Sequence, residues 1–161
     1  MSHHEQHCVV SIVPMRRRHL HQVHAIEQQT SHRPWSLDLF SGEIKQRDSW
    51  CCVALAGDGS VTGFGCLMTT GFETHITNVA VDPKLQRQGI GRQLVAALLD
   101  QTVRLGLDDA TLEVRMTNHA AQRLYQSFGF APAGVRPNYY ADVGEDALIM
   151  WVHELSQRSS T

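Results

Sequence analysis

Residues 86–92 read Gln-Arg-Gln-Gly-Ile-Gly-Arg, with two glycines one residue apart. They lie between a strand-like run that ends at Asp82-Pro83 and a long apolar-striped segment. Glycines at a helix start let backbone N–H groups approach a ligand closely. The unpaired donors of the first turn, together with the helix dipole, favour an anion there. Arg87 and Arg92 add positive charge. Two nucleotide loops are excluded. A Walker-type loop needs Gly-Lys-Ser/Thr, which is absent, and a dinucleotide fingerprint needs a third glycine where Leu94 stands. Two readings stay open: an anion site on Gln88, Gly89, Ile90 and Gly91, or a tight strand-to-helix turn needing positive φ with solvated arginines.

Other chemically capable residues are less distinctive. The chain has ten histidines, three of them in "HLHQVH" at His19, His21 and His24. No carboxylate or cysteine joins His21 and His24 at metal-ligand spacing, so these histidines are expected to be solvated and no metal is expected. Cys8, Cys51, Cys52 and Cys66 show no C-x-x-C spacing. The adjacent pair in an apolar run reads as small buried residues of a reduced, cytoplasmic protein. Glu113 in "LEVR" reads, alone, as a solvated or Arg115-paired strand glutamate. Tyr125 reads as a half-buried core tyrosine.

The elements that position these residues follow from periodicity and punctuation. A polar leader, 1–7, precedes a strand over 8–13. Pro14-Met15 opens a helix to about Gln29. Pro34 disfavours helix at Arg33, and Ser36 N-caps a second helix over 37–45 with Leu39 and Phe40 as its apolar contact. "WCCVALA" and "VTGFGCLMT" flank Gly57-Asp58-Gly59-Ser60 as a hairpin, and "HITNVAVD" follows the turn at Thr70-Gly71. A helix runs from about Gly89 to Leu105, with Gly106 past its end. In "DDATLEVR", Ala110, Leu112 and Val114 share one face and Thr111, Glu113 and Arg115 the other. Thr117 or Asn118 caps a helix to about Phe128, two strands follow, and 156–161 is a polar tail.

The order β-α-α-β-β-β-α-β-α-β-β predicts an α/β protein with a mixed sheet covered by helices on both faces, in one domain over 8–155. The length of 161 residues with 42% hydrophobic content suits a single core. A net charge of −2 argues against a general nucleic-acid surface. No apolar run approaches a membrane span, and a signal-peptide layout is missing.

Gln86 to Gly91 resembles the [Q/R]-x-x-G-x-[G/A] loop of the GNAT acyltransferase superfamily, and the element order is also the GNAT order. "NVAVDPKLQRQGIGRQLVAALL", "LEVRMTNHAAQRLYQSFGF", "RPNYY…EDALIM" and "RPWS" are similar, more narrowly, to the RimI-type ribosomal-protein-alanine N-acetyltransferases. The resemblance implies that the loop amides, with Arg87 and Arg92, hold the pyrophosphate of acetyl-CoA. It implies that Val79, Ala80 and Val81 offer backbone groups to the pantetheine arm, with an N–H of Val79 or Val81 polarising the thioester, and that Asn118 touches the cofactor as well as capping a helix. Arg33, Trp35, Tyr139 and Tyr140 are implied at the acceptor side. The implied acceptor is a protein N-terminus, that of a small-subunit ribosomal protein, and the enzyme is expected to be a monomer.

Acetyl transfer to an amine needs a neutral nucleophile, a polarised carbonyl and a proton for the departing thiolate. About a tenth of an α-amine with pKa near 7.8 is neutral at pH 7, far more than of a lysine at 10.4. The resemblance makes Glu113 the base and Tyr125 the acid. A glutamate near 4.3 is a weak base, so burial raising its pKa or an intervening water is expected. Tyr125, at about 10, would protonate the thiolate. No serine or cysteine has a supported nucleophile arrangement, which implies direct attack in a ternary complex.

Overall fold

The computed structural model describes residues 9–158. The expected leader 1–7, Cys8 and the last three residues lie outside the described residues. Among the described residues the strands are β1 (Ser11–Pro14), β2 (Ser49–Leu55), β3 (Val61–Thr69), β4 (Thr74–Val81), β5 (Ala110–Arg115), β6 (Ala131–Tyr140) and β7 (Glu145–Val152). The helices are α1 (Leu20–Thr30), α2 (Leu37–Glu43), α3 (Ile90–Arg104) and α4 (His119–Ser127). The expected order is reproduced, and the fold is a seven-stranded mixed sheet in the order β1-β2-β3-β4-β5-β7-β6. The β1–β2, β2–β3, β5–β7 and β6–β7 pairs are antiparallel, and β4–β5 is parallel.

Boundaries moved where local chemistry overrode periodicity. Pro14 closes β1 opposite Cys52 instead of opening a helix. An edge strand tolerates its missing N–H. The chain then makes a 3-10 turn at Arg17–His19, where His19 Nδ1 accepts the Arg16 N–H at 2.9 Å. His19 is therefore buried, contrary to the expected solvation. Ser36 caps α2 as expected, accepting the Leu39 N–H at 3.1 Å. Phe40 is fully buried but Leu39 is exposed, so only one of the two makes the apolar contact. The helix expected to reach Leu105 ends at Arg104, and Leu105, just past its end, is exposed.

The described residues gather into two compact units: one up to Met68 with Asn78–Leu98, the other Thr69–Thr77 with Leu99 onward. In the first, Val23 and Ile26 of α1, Phe40 of α2, Val53 of β2 and Phe64 of β3 form a buried cluster. Phe40 meets Phe64 edge-on at 5.4 Å. β3 is bare where α3 crosses it. A Cβ at Gly63 would stand 2.8 Å from the Ala80 carbonyl oxygen and 3.0 Å from Leu94 Cδ1. Glycine there is what lets the helix carrying the Gly89–Gly91 start seat so close.

In the second unit, β5 alternates as expected, with Ala110, Leu112 and Val114 buried and Thr111, Glu113 and Arg115 on the other face. β7 pairs with β5 from Ala110↔Val152 to Arg115↔Ala147, which fixes Glu113 opposite Ile149. β4 joins β5 at Thr74↔Ala110 and His75↔Thr111. The tail expected from residue 156 begins in a 3-10 turn, Leu155–Arg158, whose Arg158 guanidinium donates to the Phe128 carbonyl.

Candidate active site

The glycine loop lies in the first unit. After β4, Asp82 accepts the Lys84 N–H at 3.0 Å and caps a 3-10 turn over Pro83–Leu85. The backbone then reverses through two left-handed residues, Arg87 at φ 65° and Gly89 at φ 82°, and α3 begins at Ile90. Gly89 thus satisfies the turn reading: its conformation is one that side chains rarely adopt. Gly91 does not. It sits in the first helical turn with no positive φ, where glycine costs about 1 kcal/mol relative to alanine. Its bare backbone leaves the start of a fifteen-residue helix open to an approaching ligand. Arg87 and Arg92 are exposed beside it. The donor set of first-turn amides and two guanidinium groups therefore fits a multiply charged anion such as a pyrophosphate.

The second unit assembles a charged cluster from three strands. Glu113 of β5, with 12% of its side chain exposed, is hydrogen-bonded through Oε2 to His75 Nε2 of β4. Its Oε1 lies 3.6 Å from the Arg136 guanidinium of β6. The hydrogen bond from His75 outweighs burial and, with the positive charge of Arg136, lowers the carboxyl below its ordinary range. The expectation that burial raises it is corrected: burial does push it upward, but the hydrogen bond from His75 and the charge of Arg136 outweigh that push. Arg136 also lies over the Tyr139 ring, 5.3 Å from its centroid, and Arg115 lies 4.4 Å over Tyr140. Tyr139 and Tyr140 meet edge-on at 5.0 Å. The "RPNYY" aromatics and Glu113 are therefore one constellation, joined through Arg136.

A model of the Acetyltransferase (GNAT) family matches residues 17–130. The chain belongs to the GNAT family. It is 39% identical, over 78% of its length and 84% of the relative's, to the [Ribosomal protein bS18]-alanine N-acetyltransferase of Escherichia coli (strain K12). The crystal structure of the ribosomal-protein-S18-alanine N-acetyltransferase from Escherichia coli superposes with a TM-score of 0.82 at 34% identity, covering 91% of this chain and 94% of that one. Ard1 from Thermoplasma volcanium also gives 0.82, at 27% identity, over 89% and 97%.

The remaining expected residues of this GNAT chain fall into both units. Asn118 caps α4, accepting the Ala121 N–H at 3.1 Å. Tyr125, on α4, packs edge-on to Phe130 at 5.7 Å. Burial, with Tyr140 nearby, pushes its phenol up to about 12 rather than the ordinary 10. Val79, Ala80 and Val81 close β4 in the first unit. Trp35 packs its ring against Phe40 at 5.2 Å, a core contact, and Arg33 is exposed. Buried Glu27 of α1 accepts from Asn78 Nδ2 at 2.6 Å and from the Trp35 N–H at 3.4 Å. Cys51, Cys52 and Cys66 are buried thiols; burial pushes Cys52 up to about 12, and a hydrogen bond with Cys51 together with burial pushes Cys66 upward.

Sequence reasoning missed His75 and Arg136. Side-chain parity offered a signal: His75 is paired in register with Thr111, so it shares the sheet face of Glu113. Using that signal requires knowing that β4 and β5 are parallel neighbours.

Proposed function

We propose that this chain transfers the acetyl group of acetyl-CoA to the N-terminal α-amine of a protein, with the N-terminal alanine of ribosomal protein S18 as the leading acceptor. The observation that carries this reading is the near-full-length similarity to enzymes named for that reaction. The loop geometry supports the donor: first-turn amides of α3, with Arg87, Gln88, Gly89, Ile90, Gly91 and Arg92, receive the pyrophosphate. Backbone groups of Val79, Ala80 and Val81 take the pantetheine arm like an added strand, and the Val79 or Val81 N–H polarises the thioester. Asn118 adds a polar contact to the donor.

Glu113, with His75 bonded to it, is the basic end of the reaction, and Tyr125 the donor to the leaving sulfur. A phenol near 12 stays protonated around neutral pH. Full proton transfer to a thiolate whose thiol titrates near 8.5 runs uphill by about 5 kcal/mol. Tyr125 therefore stabilises the thiolate by a hydrogen bond while water completes its protonation. Buried cysteines held protonated are poor nucleophiles, which supports direct attack by the amine. Tyr139, Tyr140, Arg33 and Trp35 border the acceptor.

Mass spectrometry of peptides with free and blocked N-termini tests the reading. Acetylation of a free Ala-led peptide and none of its blocked counterpart is expected. Modification that persists on blocked, lysine-bearing peptides moves the acceptor to lysine.

A further inference from the structure

We infer that His75 Nδ1 takes the proton from the acceptor amine, and that Glu113 is the positioning residue that holds its ring. This deepens the acetyl-transfer reading and rests on it. His75 uses Nε2 to reach Glu113 Oε2. A neutral ring that donates there from Nε2 must carry its lone pair on Nδ1. No described residue hydrogen-bonds Nδ1, and 29% of the His75 side chain is exposed. Glu113 is less exposed, and both its oxygens face cationic or donor groups, His75 on one side and Arg136 on the other. A carboxylate so occupied is a poor proton acceptor and a good orienter. Imidazole is the side chain that most often serves as a general base. Beside this pair, Arg136 of β6 faces Glu113 and lies over Tyr139; Tyr140 of β6 feels the charge of Glu113 and has Arg115 of β5 over its ring, and Arg115 pairs with Glu145 of β7.

The step balances without another reactant. The neutral amine forms the N–C bond at the thioester carbonyl, and its N–H proton passes to Nδ1. The C–S bond breaks with its electron pair on sulfur, which accepts a hydrogen bond from Tyr125 and then a proton from water. The imidazolium returns its proton to solvent.

The two candidate bases give opposite outcomes for one substitution. If Glu113 were the base, removing the histidine would free its carboxylate to regain proton affinity, and the rate would hold or rise. If His75 is the base, His75→Gln, which can still donate to Glu113, lowers kcat about 100-fold. The KM for acetyl-CoA should stay within about twofold, because His75 is not among the residues assigned to the donor. His75→Ala should regain activity with added imidazole, in proportion to its free-base concentration. Glu113→Gln should lose less, about 30-fold, and gain nothing from imidazole.

These assays use the full chain, saturating acetyl-CoA and a free Ala-led peptide, with thermal unfolding and acetyl-CoA calorimetry confirming folded variants. Should His75→Ala fail to fold, His75→Gln alone decides. Wild-type kcat in His75→Gln beside a loss in Glu113→Gln would overturn the assignment. If the wild-type enzyme prefers a lysine or a small amine, the variants are read on that amine and only the acceptor assignment falls.

Discussion

Glu27 and Glu113 are both enclosed glutamates, one in each compact unit, and their surroundings push them in opposite directions. Glu27 receives only neutral donors, the Asn78 amide and the Trp35 N–H, and burial raises its pKa despite them. Glu113 receives His75 and faces Arg136, and its pKa is lowered although it too is largely covered. Burial alone does not decide the sign; the strength of the hydrogen bond and charge set against it does. The first unit uses its carboxylate as a hydrogen-bond hub that ties α1 and the Trp35 segment to Asn78 of β4. The second keeps its carboxylate ionised beside a titratable ring. One is a fastener, and the other is the group we assign to the chemistry.

Truncating each glutamate separates these roles most sharply. Glu113→Ala is expected to lower kcat about 100-fold through loss of the ordered His75 ring, with little change in the KM for acetyl-CoA. Glu27→Ala leaves buried donors unpaired and should cost about 3 kcal/mol, a fall in Tm of about 10 °C, while kcat in the folded fraction stays within about threefold. Steady-state kinetics and thermal melts on both variants check this. A 100-fold loss of kcat in folded Glu27→Ala would erase the distinction.

The next effect concerns backbone rather than side chains. Gly89→Val forces a β-branched residue to φ 82°. At about 2 kcal/mol of strain, the KM for acetyl-CoA should rise about 30-fold with kcat nearly kept. Gly91→Ala is the sharper case, because no backbone strain attends it. Alanine there should raise Tm by about 3 °C through helix propensity and still weaken acetyl-CoA binding by crowding the helix start. A more stable variant with unchanged affinity would mean that Gly91 merely shapes the turn.

This contrast also explains what was legible in the sequence. The glycine loop was, because a backbone site is built from consecutive residues whose types are constrained one by one. Gly89 satisfies a turn, Gly91 stands in the first helical turn where we assign the donor's approach, and both lie within seven letters. The alternation of β5 and the Ser36 and Asn118 caps were legible for the same local reason. The His75–Glu113–Arg136 cluster was not, since it joins three strands whose neighbours are set by sheet order and register. Glu113 could be singled out only by resemblance, and the direction of its pKa shift was misjudged because its partners were unseen. His19 and Pro14 were misread through competing local geometry, a side-chain cap in one case and an edge strand in the other.

The smallest expected effect tests the opposite shifts directly, through the pH dependence of stability. A carboxyl whose folded pKa lies above its unfolded value, near 4.3, contributes stability below that value and loses it as pH rises through the folded one. That is the case of Glu27. A carboxyl whose folded pKa is depressed contributes stability above its unfolded value and loses it as pH falls through the folded one, which is the case of Glu113. Replacing each by glutamine removes the titration and keeps most of the shape. The Tm of Glu27→Gln, relative to wild type, should therefore climb as pH rises above about 4.3, while that of Glu113→Gln should decline as pH rises toward about 4.3 from below. The sign of each drift, opposite in the two variants, is the outcome to be read. Calorimetric melts at four or five pH values would give two difference curves of opposite slope. Parallel curves would mean that burial, and not the His75 hydrogen bond and the Arg136 charge, governs both glutamates, and the basis for treating Glu113 as an ionised holder of the His75 ring would be lost.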